Sequence, residues 1–420
     1  MSLPNLASLC AELSHVVLLY DKGEKGTCFL GLGAKRILEI GGKISNVKAF
    51  QALEEFSKRE EGKYTFGALS YDLKNSIHNL KTSNPNTLGL PDLCWWQPKV
   101  VIKWHPSNKE FAPEILQGDS ESELAIKGLD AIKNPGNNEG CKVRSELVWA
   151  WDKDTYIEKF NNVKNLIQAG DVYELNLCQT LRGKAPSTSS WSLFTQLYSK
   201  TRAPFSAYLQ AGKTRIISGS PERFLKRERG KLISEPIKGT IARGPNEAED
   251  LKLIEELRSS EKERAENIMI ADLVRNDLSR VAKRGTVEVD DLCGIHTFET
   301  VHQMITRITC EVDDNVGISD ILKATYPMGS MTGAPKLSAM ENIDLLEEKG
   351  RGVYSGSIGY ISPTGDFDLN VLIRSLFHNA DTEKIEASVG GAITALSNAE
   401  DEYKECKLKA EALRKTLQGE

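Results

Sequence analysis

Gly356-Ser357-Ile358-Gly359-Tyr360-Ile361 and Phe367-Asp368-Leu369-Asn370-Val371-Leu372-Ile373-Arg374-Ser375-Leu376-Phe377 are apolar runs separated only by Ser362-Pro363-Thr364-Gly365-Asp366. So short a connection requires the runs to pair antiparallel, because a parallel crossover needs a dozen or more residues. Working outward, Phe205 to Gln210, Arg215 to Ser218 and Arg223 to Ile233 also read as antiparallel strands. Asp171 to Leu181 reads as a strand between helices at Asp154 to Gly170 and Ser190 to Ser199. Further upstream, Val16 to Tyr20, Cys28 to Leu32, Phe66 to Tyr71 and Val100 to Trp104 read as strands, with a helix at Val47 to Phe56. The polar stretch Gln117 to Lys142, ending in Asn134-Pro135-Gly136-Asn137-Asn138-Glu139-Gly140, reads as a linker after a short helix and puts a boundary near 145.

A chain of 420 residues can bury a large core, as one interleaved unit or as two domains. Its net charge of −5 argues against a polyanion-binding surface, so no nucleic-acid partner is expected. Eight cysteines are scattered singly with no C-x-x-C pair, which fits the reduced thiols of a cytosol better than a disulfide framework or zinc site. No basic segment leads into a long apolar one near the start, and no stretch approaches the roughly 18 to 20 apolar residues of a membrane span. The expectation is a cytoplasmic protein with no membrane partner.

Pro236-Ile237-Lys238-Gly239-Thr240 places an amine in a tight, Gly-containing turn after the strand-like Lys231-Leu232-Ile233. A lysine attacks only as the free base, so covalent chemistry at neutral pH requires desolvation or neighbouring positive charge to lower its pKa. Alone, such a lysine is most often a solvated loop residue. Glu263 and Glu266 share a face of Glu261 to Lys283, where Ile268, Ala271, Val274, Leu278 and Val281 form an apolar stripe. Near the C-terminus Tyr403, Cys406, Ala410, Leu413 and Leu417 form a core stripe, beside Glu402, Glu405 and Lys409. Ser397 or Asn398 can cap that helix. Carboxylates from two helices could converge on a hard cation, Mg²⁺ rather than zinc, or simply be solvated charged faces. Gly329 to Lys336 is Gly-rich and leads into a helix with Pro335 at its first position, so free N–H groups could receive an anion. It lacks the Gly-Lys-Ser/Thr ending of a nucleotide P-loop, and Gly31-Leu32-Gly33 has Arg36 where a dinucleotide fingerprint needs its third glycine. Arg374, mid-strand, can pair bidentately with a substrate carboxylate or serve a structural ion pair.

Taken in order, these motifs resemble the chorismate-utilising enzymes, and within them the branch that forms aminodeoxychorismate. The resemblance spans Asp154 to Lys409 and rests on Gly170 to Tyr173, Ser220-Pro221-Glu222-Arg223-Phe224, Pro236 to Thr240, Ala265-Glu266 through Asp277, His302, Pro327 to Lys336, Gly352 to Gly359, Arg374, Gly390-Gly391 and Glu402 to Lys409. Gly67 to Asp72 and Pro91 to Pro98 extend it weakly into the first half. It implies an α+β fold of two large antiparallel sheets packed face to face with helices outside, in four layers. Residues 1–145 would form an N-terminal region interleaved with the core, and 146–420 a chorismate-binding catalytic domain.

Lys238 selects the branch, since the anthranilate- and isochorismate-forming relatives typically carry alanine there. The resemblance implies that Lys238 attacks the chorismate ring while Glu222 acts as general acid for the departing 4-hydroxyl. Ammonia then displaces the lysine to give 4-amino-4-deoxychorismate, the precursor of 4-aminobenzoate and folate. It implies Mg²⁺ held by Glu266 and Glu405, supported by Glu263 and Glu402, and a substrate pocket lined by Thr332, Tyr354, Arg374, Gly390, Gly391, Lys409, Gly329 and His302. No Gly-x-Cys-x-Gly nucleophile motif occurs, so a separate glutamine amidotransferase subunit is expected to supply the ammonia. Glu174 stands where amino-transferring relatives often have glutamine and water-adding ones lysine. Ala392 replaces the last glycine of a usual triplet, and Leu18-Leu19-Tyr20-Asp21 lacks the serine tied to tryptophan feedback. An anthranilate-forming enzyme and a non-catalytic chorismate-binding homologue are the alternatives.

Overall fold

The computed structural model describes residues 3–419, apart from 22–25, 42–47, 60–61, 81–83, 108–111, 137–144 and 348. The short connection closes as the sequence requires: Ser362 N–H donates to the Asp366 carbonyl at 2.7 Å, and Ile361 faces Phe367 across an antiparallel pair. Downstream the reading needs correction. Phe367–Asn370 belongs to one sheet and Ser375–Asn379 to the other, and Val371 to Arg374 carry the chain across. Arg374 is therefore not mid-strand; it ends the crossing with φ at 52°. The break was masked because Val371 and Leu372 are both fully buried, so no polar residue interrupts the run.

One sheet has 11 strands and the other 10, with antiparallel pairing. Neighbouring residues of His15–Tyr20 serve different cores, as a strand's period of two dictates. Val17 packs with Phe29, Leu209, Phe66, Trp95 and Leu369 between the sheets, whereas Val16 and Leu18 pack outward with Tyr156, Phe194 and Cys406 from covering helices. Helices Lys153–Ala169, Ser190–Thr201 and Ala399–Gln418 thus lie outside the larger sheet. Ala49–Arg59, Glu261–Ser279 and Ile318–Thr325 contribute Phe50, Ile270 and Ile321 to the other core, giving the expected four layers. Val47, Asn137 to Gly140 and much of the linker lie outside the described residues.

Strands from before and after residue 145 are neighbours in both sheets: His15–Tyr20 pairs Phe205–Ala211, and Thr65–Leu69 pairs Ser357–Ile361. The C-terminal stripe from Tyr403 to Leu417 is buried as read. On Glu261–Ser279 the buried arc is Glu266, Asn267, Ile270, Ala271, Val274, Asp277 and Leu278, while Ile268 is 44% exposed. The stripe therefore runs through Ile270, because a strand and a helix cover that side. Among the described residues no helix is long and apolar enough to cross a membrane.

Candidate active site

Lys238 stands on a bulge rather than in a turn. Ile237–Ala242 pairs with Val301–Glu311, and its register shifts between Ile237 and Thr240, so Lys238 and Gly239 form the irregular step. Gly239 sits there at φ 81°. A bulge re-aims a side chain, and Lys238 is turned inward with 10% of its side chain exposed and Nζ 2.9 Å from Glu174 Oε1. Burial alone would lower its pKa, but the carboxylates of Glu174, Glu266 and Glu222 outweigh burial and hold the ammonium protonated above its ordinary range. The depressed pKa expected for a nucleophilic lysine is thus not present in the ligand-free arrangement.

Glu222 follows the strand Thr214–Ser220 and is buried. Ser330 Oγ donates to its Oε1 at 2.7 Å, and burial pushes the carboxyl up to about 7 against the pull of Ser330, Lys238 and Lys409. A carboxyl poised there can donate a proton at neutral pH.

The two acidic helices meet. Ser260 caps Glu261–Ser279 by accepting from Glu263 N–H, and Asn398 caps Ala399–Gln418 through Glu400 and Asp401 N–H. Lys262 Nζ lies 3.3 Å from Glu402 on one helix and 3.9 Å from Glu266 on the other. Burial raises Glu266 to about 7 and also raises Glu263, each despite Lys262. Glu405 is held below its ordinary range because Lys409, 2.5 Å away, outweighs burial. Glu263 also abuts the bulge, since a Cβ on Gly239 would lie 3.0 Å from its Oε2.

Among the described residues no three acidic, histidine or cysteine side chains are close enough to hold a metal ion. The donor set nevertheless fits a hard divalent cation. Glu266 Oε1 is buried with no hydrogen-bond partner, and an ammonium, that of Lys262, stands between carboxylates of both helices. Mg²⁺ needs only one or two protein carboxylates, with water and substrate completing its shell.

The other residues expected to line a pocket lie on loops and strands around these groups. Gly390 and Gly391 lie on Lys384–Ile393, where a Cβ at Gly391 would fall 2.7 Å from Glu402 Oε2 and one at Gly390 would strike Leu177 and Cys178. Lys409 Nζ donates to the Gly390 carbonyl at 2.7 Å. Arg374 faces the electrostatic influence of Glu405, and burial lowers its pKa. Gly329 packs against Leu273 of the acidic helix, and Thr332, fully buried, donates its hydroxyl to the Gly329 carbonyl at 3.1 Å. Tyr354 is buried with its hydroxyl 3.5 Å from Cys178 Sγ. His302 pairs with Ile241 beside the lysine's strand, but its ring nitrogens are taken by Asp250 and Thr297, each at 2.9 Å. Pro335 is the N-cap of Lys336–Leu346 rather than its first residue, and Lys336 is spent on Asp277 and the Pro327 carbonyl.

Three residues escaped the sequence reading. Ser330 was quoted only as part of a loop, and its link to Glu222 spans 108 positions. Lys262 lies four before Glu266, a spacing that does signal an ion pair along a helix. Arg351 lies four after Glu347, the same spacing, but its other contacts have no such signal: it donates to the Met331 and Asn176 carbonyls and stacks 4.6 Å from the Tyr71 ring centre. It fastens together the loop bearing Thr332, the strand bearing Glu174 and the first half of the chain.

The family model described as chorismate binding enzyme matches residues 16–415, and the chain belongs to that family. It is 42% identical over 266 residues to aminodeoxychorismate synthase component 1 of Escherichia coli, covering 63% of this chain and 58% of that protein. Over 368 residues it is 41% identical to the aminodeoxychorismate synthase of Streptomyces griseus, covering 84% of this chain and 49% of that one. The chain thus spans about half the length of these curated relatives. Its fold matches the crystal structure of anthranilate synthase component I from Streptococcus pneumoniae with a TM-score of 0.78 at 22% identity, covering 94% and 92% of the two chains.

Proposed function

We propose that the chain aminates chorismate to 4-amino-4-deoxychorismate through a covalent bond to Lys238, using ammonia supplied by a separate glutamine amidotransferase subunit. The observation that carries this reading is the bulge at Lys238-Gly239, which turns the lysine inward onto Glu174 and toward Glu222, a carboxyl poised near neutrality. Names of the relatives at about 40% identity support it. Lys238 as free amine forms a bond to a ring carbon while Glu222 delivers its proton to the departing 4-hydroxyl, which leaves as water. Splitting the substitution in two replaces one difficult step by two easier ones. Ammonia then breaks the ring–lysine bond. Arg374 pairs with a substrate carboxylate, and Thr332, Tyr354, Gly329, Gly390, Gly391 and His302 shape the pocket.

Glu266 and Glu405 would hold Mg²⁺, with Glu263 and Glu402 behind them. When bound, the ion neutralises carboxylates of protein and substrate that would otherwise repel by about 1 to 4 kcal/mol per close contact. Lys409 orients Glu405 and ties it to Gly390.

The test is purified chain with chorismate, Mg²⁺ and ammonium, followed by product separation and mass spectrometry of the peptide containing Lys238. Aminodeoxychorismate and a ring adduct on Lys238 are expected. Fluorescent anthranilate as main product, or full activity in Lys238→Ala, overturns the reading.

A further inference from the structure

The surroundings of Lys238 pose a chemical problem: a buried ammonium among carboxylates cannot attack until it gives up a proton. Glu174 is the only residue with a hydrogen bond to Lys238 Nζ among the described residues, at 2.9 Å. Its carboxylate is 1% exposed, and its other oxygen, Oε2, is buried without a hydrogen-bond partner. The backbone beneath it is fixed on both sides. Glu174 pairs with Ala334, Tyr173 N–H donates to the Ala334 carbonyl at 2.7 Å, and Leu175 pairs with Ile393 of the strand bearing Gly390. Gly333 closes over it so tightly that a Cβ there would lie 2.1 Å from the Glu174 carbonyl oxygen. Side chains held this way are preorganised for proton transfer.

Resting on the reading of Lys238 as nucleophile, we propose that Glu174 is the catalytic base that takes the Lys238 proton and holds it through the covalent phase. The proton moves from Nζ to Glu174, and the freed electron pair forms the nitrogen–carbon bond as the 4-hydroxyl leaves with the proton of Glu222. Nζ is then a secondary ammonium. When ammonia attacks the ring, the nitrogen–carbon bond breaks and Lys238 departs as neutral amine, which recovers its proton from Glu174. The incoming nitrogen returns one proton to Glu222, so the balance is one ammonia consumed and one water released. The other carboxylates are otherwise engaged: Glu222 accepts from Ser330 and supplies the acid, and Glu266 faces Lys262. A glutamine in place of Glu174 could orient the ammonium but could not hold its proton, so the relay requires a carboxylate here.

Glu174→Gln and Glu174→Asp test it, in single turnover with chorismate and Mg²⁺ but no ammonium, with the Lys238 peptide quantified by mass spectrometry. Adduct formation in Glu174→Gln should slow by about 10²-fold or more, the usual effect of a lost general base. Its rate should climb with pH up to about pH 7 as solvent takes over the proton, and level off above that as Glu222 loses its own, while chorismate binding by calorimetry stays within about threefold. Glu174→Asp, a carboxylate one methylene short, should recover part of the rate. An ion pair without a base role predicts the opposite, because removing the carboxylate frees the amine. Adduct formation in Glu174→Gln as fast as wild type, or an Asp variant no better than Gln, therefore overturns the proposal. Wild-type turnover with no adduct at all would instead sink the nucleophile reading beneath it.

Discussion

Replacing Ser330 with alanine removes the hydroxyl that donates to Glu222 Oε1 at 2.7 Å. Burial has already pushed the Glu222 carboxyl up to about 7, and Ser330 is the first of the groups pulling it back down. Ser330 favours the anion, so its loss favours the protonated acid. A hydrogen bond to a charged group is worth about 1.5 to 3 kcal/mol and one pKa unit about 1.4 kcal/mol, which raises Glu222 by about 1 to 2 units. An acid that delivers a proton works fully below its pKa and fails above it. The descending limb of the rate profile should therefore move from near pH 7 in wild type to about pH 8 to 9 in Ser330→Ala. Single-turnover formation of the Lys238 adduct, quenched across pH and read by peptide mass spectrometry, keeps the titration of ammonium out of the measurement. On the acid side the two proteins should differ little, and near pH 8 the variant should be faster by several-fold. A descending limb that stays in place, or moves to lower pH, would refute the assignment of Glu222 as the acid and of Ser330 as its regulator.

Gly239→Ala should lower unfolding free energy by about 1 to 2 kcal/mol, the cost of a left-handed non-glycine residue, since Gly239 has φ 81° and Glu263 leaves no slack for a Cβ. Denaturant melts give the stability, and adduct formation should fall too as the bulge re-aims Lys238. Arg374→Met should weaken chorismate binding in calorimetry by about 10- to 100-fold, the worth of one charge-assisted hydrogen bond. Its melting temperature should not fall, because the cost of burying that guanidinium outweighs the attraction of Glu405. Lys262→Met removes the ammonium between Glu402 and Glu266, a partly exposed contact worth less than about 1 kcal/mol. The variant should melt slightly lower in chelator and gain more from added Mg²⁺ than wild type does; an equal gain would remove those carboxylates from the metal site.

What the sequence could reveal depended on the range of the physics involved. The antiparallel connection at Ser362 to Asp366 is local, set by five residues, and it was legible. The C-terminal stripe was legible because one face of that helix is apolar and the others are not. Where a segment is buried on both sides the pattern fails. Val371 and Leu372 concealed the passage between sheets at Arg374, and Ile268 was taken for a core residue in place of Ile270. The turn expected at Lys238 is a bulge for a related reason: Gly239 announces a left-handed step, but only the facing strand Val301–Glu311 decides whether that step ends a strand or kinks it. Contacts such as Lys238 with Glu174, 64 positions apart, have no spacing to betray them.

The charges of the cleft explain why these long-range contacts matter. Glu174, Glu222, Glu263, Glu266, Glu402 and Glu405 face Lys238, Lys262, Lys409 and Arg374, six carboxylates against four cations. Burial raises Glu222 and Glu266 both to about 7, against the pull of Lys238 on each, and for Glu266 the carboxylates of Glu263 and Glu174 add to the rise. Two carboxyls half protonated at neutrality lessen that excess of carboxylates, and a divalent cation held by Glu266 and Glu405 would lessen it further. A substrate with two carboxylates restores the excess and keeps Glu222 protonated, which is the form an acid must have when the leaving group arrives. Lys238 responds to the same field in the same sense, since it stays protonated until a neighbour accepts its proton. Amine and acid are therefore both kept protonated in one buried, carboxylate-rich site, built from two helices, a bulged strand and the edge of the larger sheet, and only the amine needs a base before it can react.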